Sequence, residues 1–479
     1  MEAGTSGVQI GEESKNLTWK ILIKEVKKVS LLAAPMITVS ILQYMVQVVA
    51  LMMVGHLGEL PLASVAIAIS ITNVTGFSLL IGLCGGLDTL CGQAFGAKQY
   101  KKIATYVYSA IICLLVICIP IILVWIFMDK LLILVGQDPE ISMEARKFSV
   151  WLIPGLIASA IYNPLVRFLQ CQSLTLPLLL NFVAVLGINT LSCWISVYKL
   201  EFGIQAVAFS LSLCSWLNVI FLGIYINFSS ACERTRPYFS KDVFYNIWLF
   251  LKFGFPAALM TCLKWWAFEA VTLLSGRLPN PQLETSVLSI CLNISTLFFT
   301  VPLGLGYTVG IRVSNELGAG NAEAARLSAW VVTTAVFMET LVASVILFCG
   351  RHIVGYAYSH TKQVVTYVAD VIPFLCLSII TDGLQMVLSG IAKGSGWQRL
   401  GAYVNLGAFY LVGLPVAIVL GFVRHLNAKG LWIGILIGSI LQATLLIIVT
   451  ILTNWRKQAT KAIERSSEGT GEQRVDGTQ

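Results

Sequence analysis

Four carboxylates sit inside long apolar stretches of this chain: Glu269, Glu339, Asp370 and Asp382. An ionisable group in hydrocarbon is expensive, so an acid there marks a solute pathway or a proton relay by default. Asp382 has the strongest claim. It lies in CLSIITDGLQMVLSG, deep in an apolar run with Gly383 beside it. A buried carboxyl in such a setting can take up and release a proton in each working cycle, or serve as a structural hydrogen-bonded acid. Glu269, in KWWAFEA, comes second, whereas Glu339 and Asp370 fit packing or rim positions equally well. Aromatic and amide side chains in neighbouring stretches suit a pathway for organic molecules. Flat rings give adaptable contacts, and cation–π attraction favours organic cations. The candidates are Gln43, Tyr44, Gln47, Asn73, Tyr162 and Asn163 in the first half, and Trp265, Trp266, Asn293, Gln385 and Tyr410 in the second.

The elements that position these groups are membrane helices. A hydrophobic content of 57%, 12% charge and a mean hydropathy of +0.81 exclude an ordinary soluble protein. Spans of about 20 apolar residues are expected near 29–54, 62–92, 104–128, 147–170, 177–198, 203–227, 246–274, 285–311, 325–349, 364–391, 402–422 and 430–454. The second six repeat the first six. Aligning Pro35 with Pro256 also aligns Gly55 with Gly276; one added residue later, GQAFGAK ending at Lys98 falls on SNELGAG ending at Gly320, and Pro154 falls on Pro373. The expected fold is therefore an all-α membrane protein, with twelve transmembrane helices in two pseudo-symmetric six-helix lobes. These are an N-lobe over 29–227 and a C-lobe over 246–454, joined by a basic linker at 228–245 that carries Pro237. Pro35 and Pro256 are the candidate helix-bending positions, since proline removes a backbone donor. The glycine-rich motifs at Lys98 and Gly320 read as hinges and close-packing sites. Asp88 and Glu316 beside them read as interfacial helix-end groups.

The net charge of +8 is a matter of topology, not nucleic-acid binding. With twelve spans both termini share one side, which carries about 21 Lys and Arg against about 9 on the other, so the termini are expected in the cytoplasm. The tails at 1–28 and 455–479 belong to that side, and the Gly-, Ser- and Glu-rich stretches 1–18 and 460–479 are expected to be disordered. The first 28 residues are too polar for a signal peptide. Sequons at Asn16, Asn73, Asn227 and Asn293 fall in the membrane or on the cytoplasmic side. The twelve cysteines lie mostly in apolar runs without a CxxC pair and read as small core residues. A duplicated helix bundle in lipid points to a solute pathway between two lobes. No nucleotide-binding GxxxxGK[ST] loop is present. The four histidines, His56, His352, His360 and His425, fall at loops or span ends without catalytic or metal-ligand clustering, so an enzyme, a metal and a cofactor are not expected.

Five segments carry a family resemblance: LDTLCGQAFGAKQ (87–99), QCQSLTLP (170–177), LPNPQLETSVLSICL (278–292), RVSNELGAGN (312–321) and AKGSGWQ (392–398). Through them the chain resembles the multidrug and toxic compound extrusion (MATE) family, in particular its plant branch, over roughly 25–455. The resemblance implies alternating access through a cleft between two lobes, and efflux of small organic compounds in exchange for protons. It further implies a monomer in the vacuolar or plasma membrane, and proton-coupling acids at the positions of Glu269 and Asp382. One departure stands out. The residue before the aromatic pair of the seventh span is usually Glu in that branch, and here it is Lys264. Lys264 admits three readings: it pairs with Asp382 or Glu269, it attracts an anionic or glycosylated substrate, or it snorkels to a surface. The rival to proton antiport is an uncoupled facilitator, or an exporter of anionic metabolites, in which Lys264 replaces the proton switch. Sodium coupling is less consistent with the absence of an acid in the first span.

Overall fold

The computed structural model describes residues 3–134, 136–199, 203–236, 241–359 and 361–467. Among them no strand occurs, and twelve helices are long and apolar enough to cross a membrane. The N-lobe comprises α1 (Trp19–Gly55), α2 (Leu60–Gly96), α3 (Tyr100–Ile126), α4 (Pro139–Cys171), α5 (Leu176–Tyr198) and α6 (Ile204–Phe228). The C-lobe comprises α7 (Asp242–Ser275), α8 (Pro281–Gly318), α9 (Ala322–Cys349), α10 (Lys362–Ser395), α11 (Gln398–Val423) and α12 (Asn427–Leu452). A further helix, labelled α13 (Trp455–Ser467), follows the twelve spans. The chain is thus a multi-pass integral membrane protein. The face that carries both chain ends is called the terminal face below.

Most expected spans extend by about a turn at one or both ends, because helix ends outside the apolar run still close their hydrogen bonds in water. Two expectations about the tails need correction. Helix continues back from Trp19 to Ala3, since extending an existing helix needs no new nucleus. The stretch 460–467, expected to be disordered, belongs to α13, which docks across the terminal face by burying Trp455, Ala459 and Ala462. There Arg465 Nη1 donates to Gln93 Oε1 of α2 at 3.1 Å and to Ser395 O at the end of α10 at 3.4 Å, and Lys102 Nζ of α3 donates to Ser466 O. One short helix thereby ties both lobes. His360 and Pro237 lie outside the described residues, and all twelve cysteines are free, with only Cys349 exposed.

The two lobes reproduce one another in backbone detail. Residues with positive φ recur one repeat length apart, as Gly58 and Asn280, Lys98 and Gly320, and Gly203 and His425. At the ends of α2 and α8 the capping bonds are equivalent. Gln99 N donates to Ala94 O and Asn321 N donates to Glu316 O, both at 2.8 Å. These two helix ends press directly on each other. A Cβ at Gly96 would meet Asn315 O at 2.0 Å, and one at Gly318 would meet Gln93 O at 2.2 Å. Such approaches seal the lobes together at the terminal face. Elsewhere α2 packs on α7 and α1 on α8, which are equivalent pairs when the lobes exchange places.

The capping pair yields a prediction. Lys98 holds φ 59° where its counterpart is a glycine, and its side chain is exposed. A left-handed residue with a Cβ carries about 1 kcal/mol of strain. Lys98→Gly should therefore stabilise the protein by up to about 1 kcal/mol, read as a higher unfolding midpoint in detergent. Gly320→Lys should do the reverse.

Candidate functional site

Packing of apolar side chains differs between the lobes at mid-membrane. The N-lobe has one continuous buried core running from Val39 to Ile226, which takes in Phe250 and Ala258 of α7. The C-lobe core is split. On α10, Val368 to Ile379 belong to one cluster and Val387 to Ile391 to another. Along α8 the break falls between Ile294 and Leu305. Asp382, Gln385, Lys264 and Glu269 lie at this break, so a polar layer interrupts the apolar core.

Lys264 Nζ sits 3.0 Å from Asp382 Oδ1 and donates to Gln385 Oε1 at 2.5 Å. Both members of the ion pair are deeply placed, with side chains 11% and 6% exposed, so Lys264 does not snorkel to a surface. Asp382 Oδ1 also accepts from Ser439 Oγ of α12 at 3.2 Å, and Gln385 Nε2 donates to Ser389 Oγ at 2.9 Å. The ammonium stands 5.1 Å from the Phe299 ring centroid and 6.0 Å from that of Phe268. These contacts matter together, because an ion pair in a low-dielectric interior is favourable only when its remaining donors and acceptors are satisfied. Glu269 lies about one and a half turns further along α7. Its Oε2 accepts from Ser70 Oγ of the N-lobe at 2.8 Å, and no cation pairs with it among the described residues. Lys264, Trp265, Phe268, Glu269, Phe299 and Asp382 share one cavity of about 150 Å³, together with Leu292, Ser295 and Thr296.

The other sequence candidates are dispersed. Trp265 is half exposed at the cavity, edge-on to Phe299. Trp266 turns to the lobe interface, where its Nε1 donates to Val74 O at 3.2 Å. Val74 lies in the widened turn Asn73–Phe77 of α2, so Asn73 marks a π-bulge. Gln385 is buried as a partner of Lys264. Asn293 is exposed and donates to Ser289 O of its own helix, and Tyr410 lies in a second widened turn, Leu406–Gly413, near Cys262; neither lines the cavity. In the N-lobe Gln43 and Gln47 are exposed and Tyr44 is half-buried. Tyr162 lies beside Gln43, Tyr307 and Arg167, and Asn163 Nδ2 donates to Ser159 O at 2.9 Å. Pro35 and Pro256 sit inside continuous helices. Asp370 is an exposed rim group, and Glu339 keeps one buried oxygen without a partner.

Sequence reasoning missed a second charged cluster. Asp88 is not an interfacial helix-end group: its Oδ1 lies 3.3 Å from Arg167 Nη1 inside the N-lobe, and Arg167 stacks 4.7 Å over Tyr307 of α8. Lys393 of α10 approaches the same group and donates to Thr261 at 3.3 Å. Glu316 likewise joins an inward network. Arg312 Nη2 bonds Glu316 at 2.7 Å and Glu25 of α1 at 2.8 Å, tying α1 to α8. The signal was available: Arg167 and Lys393 stand near the ends of their spans, where charge is ordinarily dismissed as interfacial.

Two equivalent six-helix lobes around a charged mid-membrane layer define a membrane transporter of the two-lobed type. The family model described as MatE matches residues 35–195 and 256–419, one segment in each lobe, and the chain belongs to that family. Protein DETOXIFICATION 1 of Arabidopsis thaliana is 50% identical over 457 residues, covering 94% of this chain and 95% of that one. Protein DETOXIFICATION 12 of the same plant is 48% identical over 459 residues, 95% of each chain. The crystal structure of the eukaryotic MATE transporter AtDTX14 matches with a TM-score of 0.90 at 47% identity, covering 93% of this chain and 100% of that one.

The ion pair predicts its own mutational asymmetry. Asp382→Asn leaves the Lys264 ammonium buried without its counter-ion and should cost about 3–5 kcal/mol. The double variant Asp382→Asn/Lys264→Met should recover most of that loss. Unfolding midpoints of the three proteins in one detergent provide the check.

Proposed function

We propose that this transporter exports small organic cations from the cytoplasm in exchange for protons, by alternating access through the cleft between the lobes. One observation carries the reading: Lys264, Asp382 and Glu269 share a single cavity, and Lys264 is already paired with Asp382. With both acids ionised the cavity holds one positive and two negative charges, and Glu269 is the uncompensated one. A cation is attracted to it, and the walls of Trp265, Phe268 and Phe299 favour a flat or aromatic body. A proton arriving at Asp382 neutralises the partner of Lys264 and releases its charge into the cavity. The net charge is then zero, and a cation beside Glu269 meets an unpaired ammonium. Proton and substrate cation therefore exclude each other without touching the same oxygen, as an antiporter requires. Lys264, in the place where the family resemblance implies a carboxylate, acts as a movable counter-ion in this scheme.

The excess of Lys and Arg on the terminal face supports a cytoplasmic position for that face. With that orientation, the tight contact of Gly96 and Gly318 with the opposite lobe fits a state closed to the cytoplasm. Export of solutes fits the names of the DETOXIFICATION relatives. Membership of the plant branch supports the vacuolar or plasma membrane and a monomeric unit.

One proton exchanged for one monovalent cation moves no net charge, so a tenfold proton gradient should sustain about a tenfold cation gradient. Proteoliposomes with an acidic lumen should accumulate a fluorescent organic cation. Clamping the membrane potential with valinomycin at different potassium ratios should leave the plateau unchanged. Uptake that merely equilibrates, whatever the pH gradient, would instead assign the chain to facilitators. Lys264→Gln tests the counter-ion. It should lower KM for the cation while reducing the plateau at a fixed gradient, since protonated Asp382 then leaves Glu269 uncompensated. Equal KM and equal plateau would remove Lys264 from the switch.

A further inference from the structure

A groove of about 580 Å³ lies between α7 and α11 on the outer surface of the C-lobe, away from the cavity. Its walls are Trp248, Phe255, Leu259 and Leu263 on α7, and Tyr403 and Leu406 on α11. Two cations complete it, Lys252 and Arg399, and no acidic side chain of the described residues lines it. Neither cation has an ion-pair or hydrogen-bond partner among the described residues, and Lys252 and Arg399 are both exposed.

The depth of the two charges follows from helix register. Asn405 Nδ2 donates to Met260 O at 2.5 Å, which sets these two residues level. Both helices run inward from the terminal face. Lys252 precedes Met260 by about 12 Å of helix and Arg399 precedes Asn405 by about 9 Å. The two cations therefore stand at nearly one level, with apolar side chains below them toward mid-membrane. Trp248 and Tyr403, 75% and 71% exposed, flank them as amphipathic rings do at a headgroup boundary. Phe255, 59% exposed, forms the apolar part below. The arrangement has the polarity of an amphiphile: two positive charges at one level, then a hydrocarbon-lined slot continuing into the membrane.

We propose that this groove is a specific site for one anionic phospholipid of the leaflet on the terminal face. Its phosphate is held between Lys252 and Arg399, and an acyl chain lies along Phe255, Leu259 and Leu406. A zwitterionic lipid fits the slot equally well, but its choline or ethanolamine nitrogen returns a positive charge to a site that has no acid to receive it. The guanidinium offers paired donors to a phosphate and the ammonium a point charge. Pro256 lines the same groove, on the helix that carries Lys264 and Glu269. A bound lipid thus rests on α7 beside its missing backbone hydrogen bond.

Native mass spectrometry of the full-length protein from mixed micelles of phosphatidylglycerol and phosphatidylcholine tests this directly. The wild-type protein should retain one phosphatidylglycerol in preference to phosphatidylcholine. Lys252→Gln and Arg399→Gln should each weaken that retention about fivefold, and the double variant about 25-fold. The charge-conserving Lys252→Arg should keep it. Both substituted positions are exposed, so a parallel unfolding midpoint should match wild type. Equal retention of the two lipids, or a double variant that binds phosphatidylglycerol as the wild type does, would overturn the assignment and leave ordinary annular contact.

Discussion

Close backbone approach between helices is the constraint on which this molecule depends. Lipid tails are as apolar as leucine, so burial alone gives membrane helices little reason to choose one partner over another. Contact between small residues supplies the choice. A Cβ at Gly82 would lie 2.7 Å from Ala258 Cα and one at Gly86 2.6 Å from Gly254 N, which fixes α2 on α7 across the lobe boundary. On the other side Gly390 meets Gly306 O and Gly394 meets Gly310 O, fixing α10 on α8. These seams set the rotation of α7 and α10 about their own axes. That rotation turns Lys264 and Asp382 toward each other and Glu269 toward Ser70. A one-position rotation of either helix, about 100°, would carry its charge out of the layer.

Much of the fold was legible before any coordinates. Spans, their number and the repeat follow from hydropathy and from Pro35, Gly55 and Lys98 recurring as Pro256, Gly276 and Gly320. The orientation of each helix about its axis was far less legible. In water a polar face identifies the solvent side, but in a membrane protein both faces are apolar and hydropathy is silent on which one meets lipid. Asn293 and Gln385 illustrate the limit. Both are amides inside apolar spans, yet one bonds to its own helix at an exposed position and the other is the hydrogen-bond partner of Lys264. The acids were easier, because the cost of burying charge leaves them few places to go. Even so, Asp88 and Arg167 escaped, since proximity to a span end made an interfacial role look sufficient. The tail beyond residue 460 escaped for a different reason. Its composition is that of a solvated segment, but Ala459 and Ala462 fall on one side of a helix and let it lie close against the lobes.

The charged layer and the seal at the terminal face are built on the same stripe of α10. Asp382, Gln385, Ser389 and Lys393 succeed one another at helical spacing on one face. Gln385 bonds to Ser389, and the carbonyl of Lys393 accepts from Thr89 of α2, while Gly394 O accepts from Gln93 at 3.1 Å. The stripe therefore begins at the proposed proton site and ends in contact with the other lobe. Gln93 also takes the guanidinium of Arg465, so α13 is fastened to the same point.

This continuity bears on how exchange of a counter-ion could become movement of a lobe. Coupling between sites is carried by an element with two discrete arrangements whose balance both sites bias. Under the proposed exchange, Lys264 has two such arrangements: paired with Asp382, or released from it when Asp382 is neutral. Gln385 is bonded to Lys264 and to Ser389, so it must adjust when the ammonium leaves. The seal below is made of contacts that cannot yield gradually, since Gly96 and Gly318 have no space for even a methyl group. A tightly packed interface of that kind is either closed or separated. A small change at mid-membrane then has only to tilt the balance between two packings; it need not push the lobes apart by itself.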